Sequence, residues 1–211
     1  MADPRTALEV ADWRRRVFAL YAQVRASADL VAAHDLWRRG RDELFATHPS
    51  TPLLPEDRGA FTGLPVTAYD PDWRFEAAII ATEPRHMDVE TGTDGLVPFD
   101  LIGIAEVPGV GSLDVWKLGS YGGGIFVPVK DALSRQKGGT YGGGRYLIDT
   151  IKGADLGGTP GGSAAPSIVL DFNFAYNPSC AYDPEWACPL AQAGNTVPVE
   201  IPVGERYSGS Y

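Results

Sequence analysis

Sulfur and imidazole are scarce in this chain: 211 residues carry two cysteines, two methionines and three histidines. Two cysteines are too few for the disulfide scaffold of a small secreted domain. A zinc site needs about four ligands, and no histidine or third cysteine lies near Cys180 and Cys188 to supply them. No apolar run approaches the roughly 18 residues that would cross a bilayer. The opening Met1-Ala-Asp-Pro-Arg5 is charged and no apolar stretch follows it, so the expectation is a cytoplasmic protein without a signal or a membrane partner. Also absent are the phosphate-binding G-x-x-x-x-G-K-S/T loop, H-E-x-x-H, C-x-x-C and the G-x-S-x-G nucleophile turn. Gly109-Val-Gly111 stands alone, with no helix after it. A formal charge of −9 argues against nucleic acid as a partner.

What the chain has in excess is glycine and proline, 25 and 17 residues, about a fifth of the total against an average near 12%. That density of turn formers excludes a helical bundle and favours many short strands. Hydrophobic residues at 44% suffice for a buried core, and the length suits one domain with a small appendage at most. Residues 1–45 differ from the rest. They hold eight arginines against seven acids, whereas the other 166 residues hold ten bases against twenty acids. Val10, Trp13, Val17, Tyr21 and Val24 recur at three or four residues around Arg14, Arg15 and Arg16, which predicts an amphipathic helix with a solvated basic face. Ser27 reads as the N-cap of a second helix to about Phe45, with Leu30, Trp37, Leu44 and Phe45 inward and His48-Pro49 as its stop. The expectation is a helical hairpin over 1–55 packed on a β-rich domain over 56–211.

From Phe61 the apolar period becomes two. Strands are expected at 73–82, 86–91, 99–107, 112–118, 125–130, 145–151, 167–175 and 197–203, with 153–162 as a surface loop. Short strands without helical segments between them predict a mainly β (α+β) fold, an antiparallel β-barrel or closed sandwich. One element is echoed: Ser120-Tyr-Gly-Gly-Gly-Ile-Phe126 returns twenty residues later as Thr140-Tyr-Gly-Gly-Gly-Arg-Tyr146. Three glycines leading into a strand suit a sharp bend or a close backbone approach.

The densest polar signal follows Ser167. Alternation places Ile168, Leu170, Phe172 and Phe174 on one face and Asp171 with Asn173 on the other. If the strand carrying Arg145 lies alongside, Arg145 and Asp171 can pair and form a polar pocket. The same Asp and Asn are also suited to tie down the turn at Tyr176-Asn177-Pro178. Cys180 and Cys188 remain open to three readings: buried reduced thiols, a disulfide worth roughly 2–3 kcal/mol, or a metal or catalytic role. His86, beside Arg85, reads as an exposed strand residue.

Three segments closely resemble domain-of-unknown-function family 1684, in a version that looks actinobacterial. They are Thr140-Tyr-Gly-Gly-Gly-Arg-Tyr-Leu-Ile-Asp-Thr-Ile-Lys-Gly-Ala-Asp-Leu-Gly157, Asp171-Phe-Asn-Phe-Ala-Tyr-Asn-Pro-Ser-Cys-Ala-Tyr182, and Cys188-Pro-Leu190 with Asn195 and Gly204-Glu-Arg206. Weaker matches reach back through Phe61-Thr-Gly-Leu64 to Trp37. The resemblance implies a bacterial or archaeal protein of this size and brings no activity or cofactor. One departure stands out. The family reads D-x-T-x-G ahead of its T-Y-G-G-G-R-Y, whereas Asp131-Ala-Leu-Ser-Arg135 places Leu133 and Arg135 at the Thr and Gly positions.

The expected function is binding of a small polar or anionic ligand by Arg145, Tyr146, Asp171, Asn173, Tyr176, Asn177 and Glu205. A rival is carboxylate acid–base catalysis by Asp171 or Glu205 with Arg145 holding an anion. A third reading is a structural or partner-binding module whose motifs lock the C-terminal loop. No catalytic residue, metal or cofactor is assigned, and the oligomeric state is left open.

Overall fold

The computed structural model describes residues 3–91, 95–119, 121–162, 164–207 and 209. Helix α1 (Pro4–Ala26) is capped by Asp3, whose carboxylate accepts from the Arg5 N–H at 3.0 Å, with Pro4 in the first turn where its missing N–H is harmless. Helix α2 (Leu30–Thr47) is capped by Asp29, which accepts from Ala32 N at 3.0 Å, while Ser27 closes α1. The expected N-cap was two residues early because the chain needs Ser27 to end one helix before starting the next. Leu20, Tyr21 and Val24 of α1 and Ala33, His34, Trp37, Leu44 and Phe45 of α2 are buried. Arg14, Arg15 and Arg16 stay exposed, the last two bonded to Asp12.

The strands are β1 (Arg74–Ile80), β2 (His86–Thr91), β3 (Gly95–Val107), β4 (Gly111–Leu118), β5 (Gly124–Val129), β6 (Arg145–Asp149), β7 (Gly158–Thr159) and β8 (Ser167–Asp171). They form one antiparallel sheet in the order β6-β5-β4-β3-β1-β8-β7, with β2 paired to the first half of β3. The sheet curls into a half-barrel. The fold is thus mainly β with an N-terminal helical hairpin, as expected, and stops short of full closure.

Three segments depart from the expected strands. The expected surface loop at 153–162 contributes β7, whose Gly158 and Thr159 pair with Ile168 and Ser167. β8 ends at Asp171 instead of continuing to 175, because the Asp171 carboxylate accepts from Asn173 N at 3.1 Å and turns the chain into a single 3-10 turn, Phe172–Phe174. Phe172 and Phe174 therefore join different core clusters instead of sharing one face. The segment 197–203 buries Val197, Ile201 and Val203 without a strand ladder. Each such side chain still contributes roughly 1.5–3 kcal/mol by leaving water.

Both faces of the sheet are covered. One core joins Val107, Leu113, Val115, Val127, Leu147, Leu170 and Phe172 to the C-terminal Val197, Ile201 and Val203. The other joins Phe99, Trp116, Phe126, Tyr146 and Tyr176 to Leu20, Tyr21 and Trp37 of the helices. The echoed glycines lead into β5 and β6, which pair with each other. A Cβ on Gly124 would lie 2.6 Å from the Ile151 side chain, and one on Gly144 would lie 2.8 Å from the Val129 carbonyl. These are bent strand starts with close approach. Ser120 lies outside the described residues.

Arg135 is a non-glycine residue with left-handed backbone, at φ 65°. The structure explains why its position suits glycine: the left-handed region costs an L-residue about 1–2 kcal/mol. Arg135→Gly should therefore raise the unfolding free energy by about 0.5–1 kcal/mol, offset partly by a freer unfolded chain. Urea titration of both proteins checks this.

Candidate functional site

Arg145 does not meet Asp171. It lies fully buried at the start of β6, where Nη2 donates to Asp131 Oδ2 at 2.8 Å and to the Ile201 carbonyl at 3.2 Å. Nη1 donates to the carbonyls of Val203 and Glu205. Burial draws its pKa below the ordinary value, with Asp131 opposing. Asp131 accepts a second bond from the Thr140 hydroxyl. This guanidinium clamps the ladderless C-terminal segment to the sheet, and none of the main clefts reaches it.

Asp171 pairs instead with Arg74, its direct neighbour across the β1–β8 register, at 3.1 Å. It also accepts from the Tyr69 hydroxyl at 3.2 Å and from Asn173 Nδ2 at 2.8 Å. Asn173 closes the arrangement, exchanging two 2.8 Å bonds with the Asp70 backbone. Asp171 and Asn173 thus tie the chain before β1 to the turn after β8. Neither lines a main cleft.

The other four expected residues do converge. Tyr146 and Tyr176 exchange backbone bonds, N to O at 2.8 Å and 3.1 Å, and their rings meet edge to face. Asn177 follows. Its N–H donates to Glu205 Oε2 at 3.1 Å, and its Nδ2 donates to Glu205 Oε1 at 3.2 Å. Fully buried Glu205 accepts in addition from Arg41 Nη2 at 2.7 Å and from the Tyr182 hydroxyl. Arg41, on α2, lies among Trp37, Phe45 and Tyr176, with its Cζ 4.8 Å from the Tyr176 ring centre. Burial works against the Arg41 charge, yet Glu205 and the surrounding tyrosines hold its pKa above the ordinary value.

Of these residues Arg41, Tyr146, Tyr176, Asn177 and Tyr182 line a cleft between the helical hairpin and the edge of the sheet. Trp13, Val17, Leu20, Leu44 and Phe45 form its apolar side, and Tyr146, Lys152, Tyr176, Asn177 and Tyr182 its polar side. Free space within it is about 60 Å³. Lys152 sits 3.2 Å from Asp149 and over the Tyr146 ring. Burial raises the pKa values of Tyr146, Tyr176 and Tyr182 well above the ordinary value, so their hydroxyls stay protonated donors. Two of the side chains that line the cleft each hold a buried polar atom without a hydrogen-bond partner: Arg41 Nε and Asn177 Oδ1. Nearby, Cys180 and Cys188 are both free and half-buried. No group of three or more metal-ligating side chains occurs among the described residues. Nor is any of their helices long and apolar enough to cross a membrane.

The sequence model "Protein of unknown function (DUF1684)" matches residues 59–206. The chain belongs to the DUF1684 family. A solution NMR structure of an uncharacterized protein from Haloarcula marismortui is 32% identical over 80% of this chain and 89% of that one, with a TM-score of 0.55. No curated protein matches the chain.

In this DUF1684 chain the family motifs around Arg145 acquire a shared physical meaning. Asp131, Thr140 and Arg145, each a family motif position, form one buried network. Asn195, also a motif residue, accepts from Trp116 Nε1 and donates to the carbonyls of Asp114 and Pro128, fixing the loop after Asn177 across β4 and β5. Arg41 and Lys152 escaped the sequence reading. A signal for Arg41 was present: it occupies the apolar stripe of α2, four residues from Trp37 and three from Leu44.

Arg145→Met should destabilise the fold by about 3–5 kcal/mol by stranding Asp131, and the double change Arg145→Met with Asp131→Leu should recover part of that loss. Chemical denaturation of the four proteins measures the coupling. The histidines give a pH test. Burial holds the His34 pKa below 6.5, with Nε2 bonded to the Asn173 carbonyl at 3.0 Å. The unfolded chain then binds a proton that the native chain refuses, so stability present above about 6.5 is lost as pH falls below it. His86 is opposite: bonds to Asp100 and Asp88 raise its pKa above 6.5, so its contribution is present below that value and lost as pH rises through the raised one. In denaturation curves between about pH 5 and 8, His34→Gln should reduce the acid-side loss and His86→Asn should enlarge it.

Proposed function

We propose that this DUF1684 protein binds a small polar ligand in the cleft between its helical hairpin and the β half-barrel. The observation that carries this reading is that Arg41 and Asn177, two residues lining one cleft, each hold a buried polar atom without a partner, Nε and Oδ1. A buried polar group left unpaired costs about 1–3 kcal/mol, so two of them in side chains that line one cleft support the binding of a complementary molecule there. The pair offers one donor and one acceptor. Arg41 is already neutralised by Glu205, and Lys152 by Asp149. The cleft therefore favours a head group that both accepts and donates, as a carboxamide does, over a multiply charged anion. The wall of Trp13, Val17, Leu20, Leu44 and Phe45 suits an apolar body behind that head.

This reading moves the ligand away from three of the expected residues. Arg145, Asp171 and Asn173 serve the fold, while Tyr146, Tyr176, Asn177 and, behind them, Glu205 serve the cleft. The acid–base alternative then rests on Glu205 alone, held by Arg41 and not by Arg145.

The test is NMR titration of the labelled protein with acetamide, benzamide and benzoate. Benzamide should shift amide signals of cleft residues more strongly than benzoate. Arg41→Lys keeps the charge beside Glu205 but removes the Nε donor, and should weaken binding about tenfold or more. Val17→Trp, which fills the cleft, should abolish it. No shift at cleft residues for any of the three compounds, or shifts indifferent to both substitutions, would overturn the reading.

A further inference from the structure

A second cleft, of about 360 Å³, lies between the loop that follows β5, the glycine turn before β6 and Leu190-Ala191. It shares no lining residue with the cleft of the hairpin. Its charged residues are Lys130 and Arg135, and among the described residues no acidic one lines it. Arg145 and Lys152, not far along the chain, are paired with Asp131 and Asp149. Among the described residues Lys130 and Arg135 make no ion pair. Two cations without a carboxylate thus line one hollow of a chain whose net charge is −9.

The backbone around them adds donors. The turn from Tyr141 to Gly144 is closed by the Gly144 N–H, which donates to the Tyr141 carbonyl at 2.9 Å. The Gly143 carbonyl accepts from Ala191 N at 3.2 Å, and that of Gly142 from the Ser134 hydroxyl at 3.4 Å. The N–H groups of Gly142 and Gly143, by contrast, have no hydrogen-bond partner among the described residues. A Cβ on Gly142 would lie 3.0 Å from Arg135 Cγ and 3.1 Å from its Nε, so the arginine side chain runs against this turn. Arg135 reaches the cleft from a left-handed backbone, φ 65°. Strain of this kind persists where the surrounding structure fixes it. Here the Arg135 N–H donates to the Thr140 carbonyl at 3.2 Å, while Lys130 is held by backbone bonds to Asn195 and Val197, each 2.8 Å.

We infer that this cleft binds a phosphate group, free or carried by a small organic molecule. A phosphomonoester bears a charge of about −1.5 to −2 at pH 7 and three strong acceptor oxygens, which suits two cations beside two amide donors. The guanidinium fork pairs with two phosphate oxygens at once, and successive backbone N–H groups in a turn form a concavity for anions. A single carboxylate would leave one of the two cations unbalanced. The inference stands without the carboxamide reading, because the two clefts have no residue in common.

NMR titration of the labelled full chain with sodium phosphate, phenyl phosphate and benzoate tests it. Both phosphates should shift the amide signals of Gly142 and Gly143, and benzoate should do so more weakly. Tighter binding of phenyl phosphate supports the site with an organic phosphate as its ligand, and equal binding supports it with free phosphate. Arg135→Gly and Lys130→Met should each weaken phosphate binding about tenfold or more. Arg135→Gly also removes the strained residue, so urea titration of that variant separates lost binding from lost folding. The inference fails if neither phosphate moves these glycine signals, if benzoate binds there as tightly, or if both variants keep the wild-type affinity.

Discussion

A single buried guanidinium, Arg145, joins parts of the chain that no regular secondary structure connects. The segment that buries Val197, Ile201 and Val203 runs without a strand ladder, so its carbonyls need donors from elsewhere. The Ala132 N–H serves the Val199 carbonyl, and Arg145 serves those of Ile201, Val203 and Glu205 from the first residue of β6 while Asp131 balances its charge. The apolar cover of one sheet face therefore depends on an ionic clamp. Gly204, with φ of 83°, lets the chain pass close to that clamp: a Cβ there would lie 3.0 Å from Arg145 Nη1.

Three buried carboxylates of the family motifs are each matched by an arginine, Asp131 by Arg145, Asp171 by Arg74 and Glu205 by Arg41. The first two pairs are surrounded by further donors and acceptors of the protein itself, as a stabilising buried ion pair must be. The third is incomplete. Glu205 has its donors, but Arg41 keeps one unpartnered N–H, and Asn177 beside it keeps one unpartnered oxygen. The functional reading follows from this difference between otherwise similar pairs. The helical hairpin matters here because it carries Arg41, so the cleft exists only where α2 lies against Tyr146 and Tyr176.

Much of this architecture was legible beforehand. The period of three to four in Val10, Trp13, Val17, Tyr21 and Val24 marked α1, and the period of two located most strands, because side-chain direction is local geometry. The glycine triplets marked the bends before β5 and β6. The boundary at Asp171 was not legible, because an Asp side chain capping Asn173 competes with strand continuation and both are compatible with the alternation. Nor was the partner of Arg145. Arg145 and Asp171 are both strand residues, and only the strand order, with β1 and not β6 beside β8, places Arg74 across from Asp171.

Composition and periodicity determined that this chain is a mainly β protein with two leading helices and that its glycines bend strands, and the family resemblance marked its motif residues. Tertiary structure alone decided which of those residues are sealed in the fold and which face a cleft. The decisive pairs bridge long stretches of chain, 164 residues between Arg41 and Glu205 and 97 between Arg74 and Asp171. A charge finds its partner through the way the sheet curls and the hairpin docks, and local sequence pattern carries no information at that range.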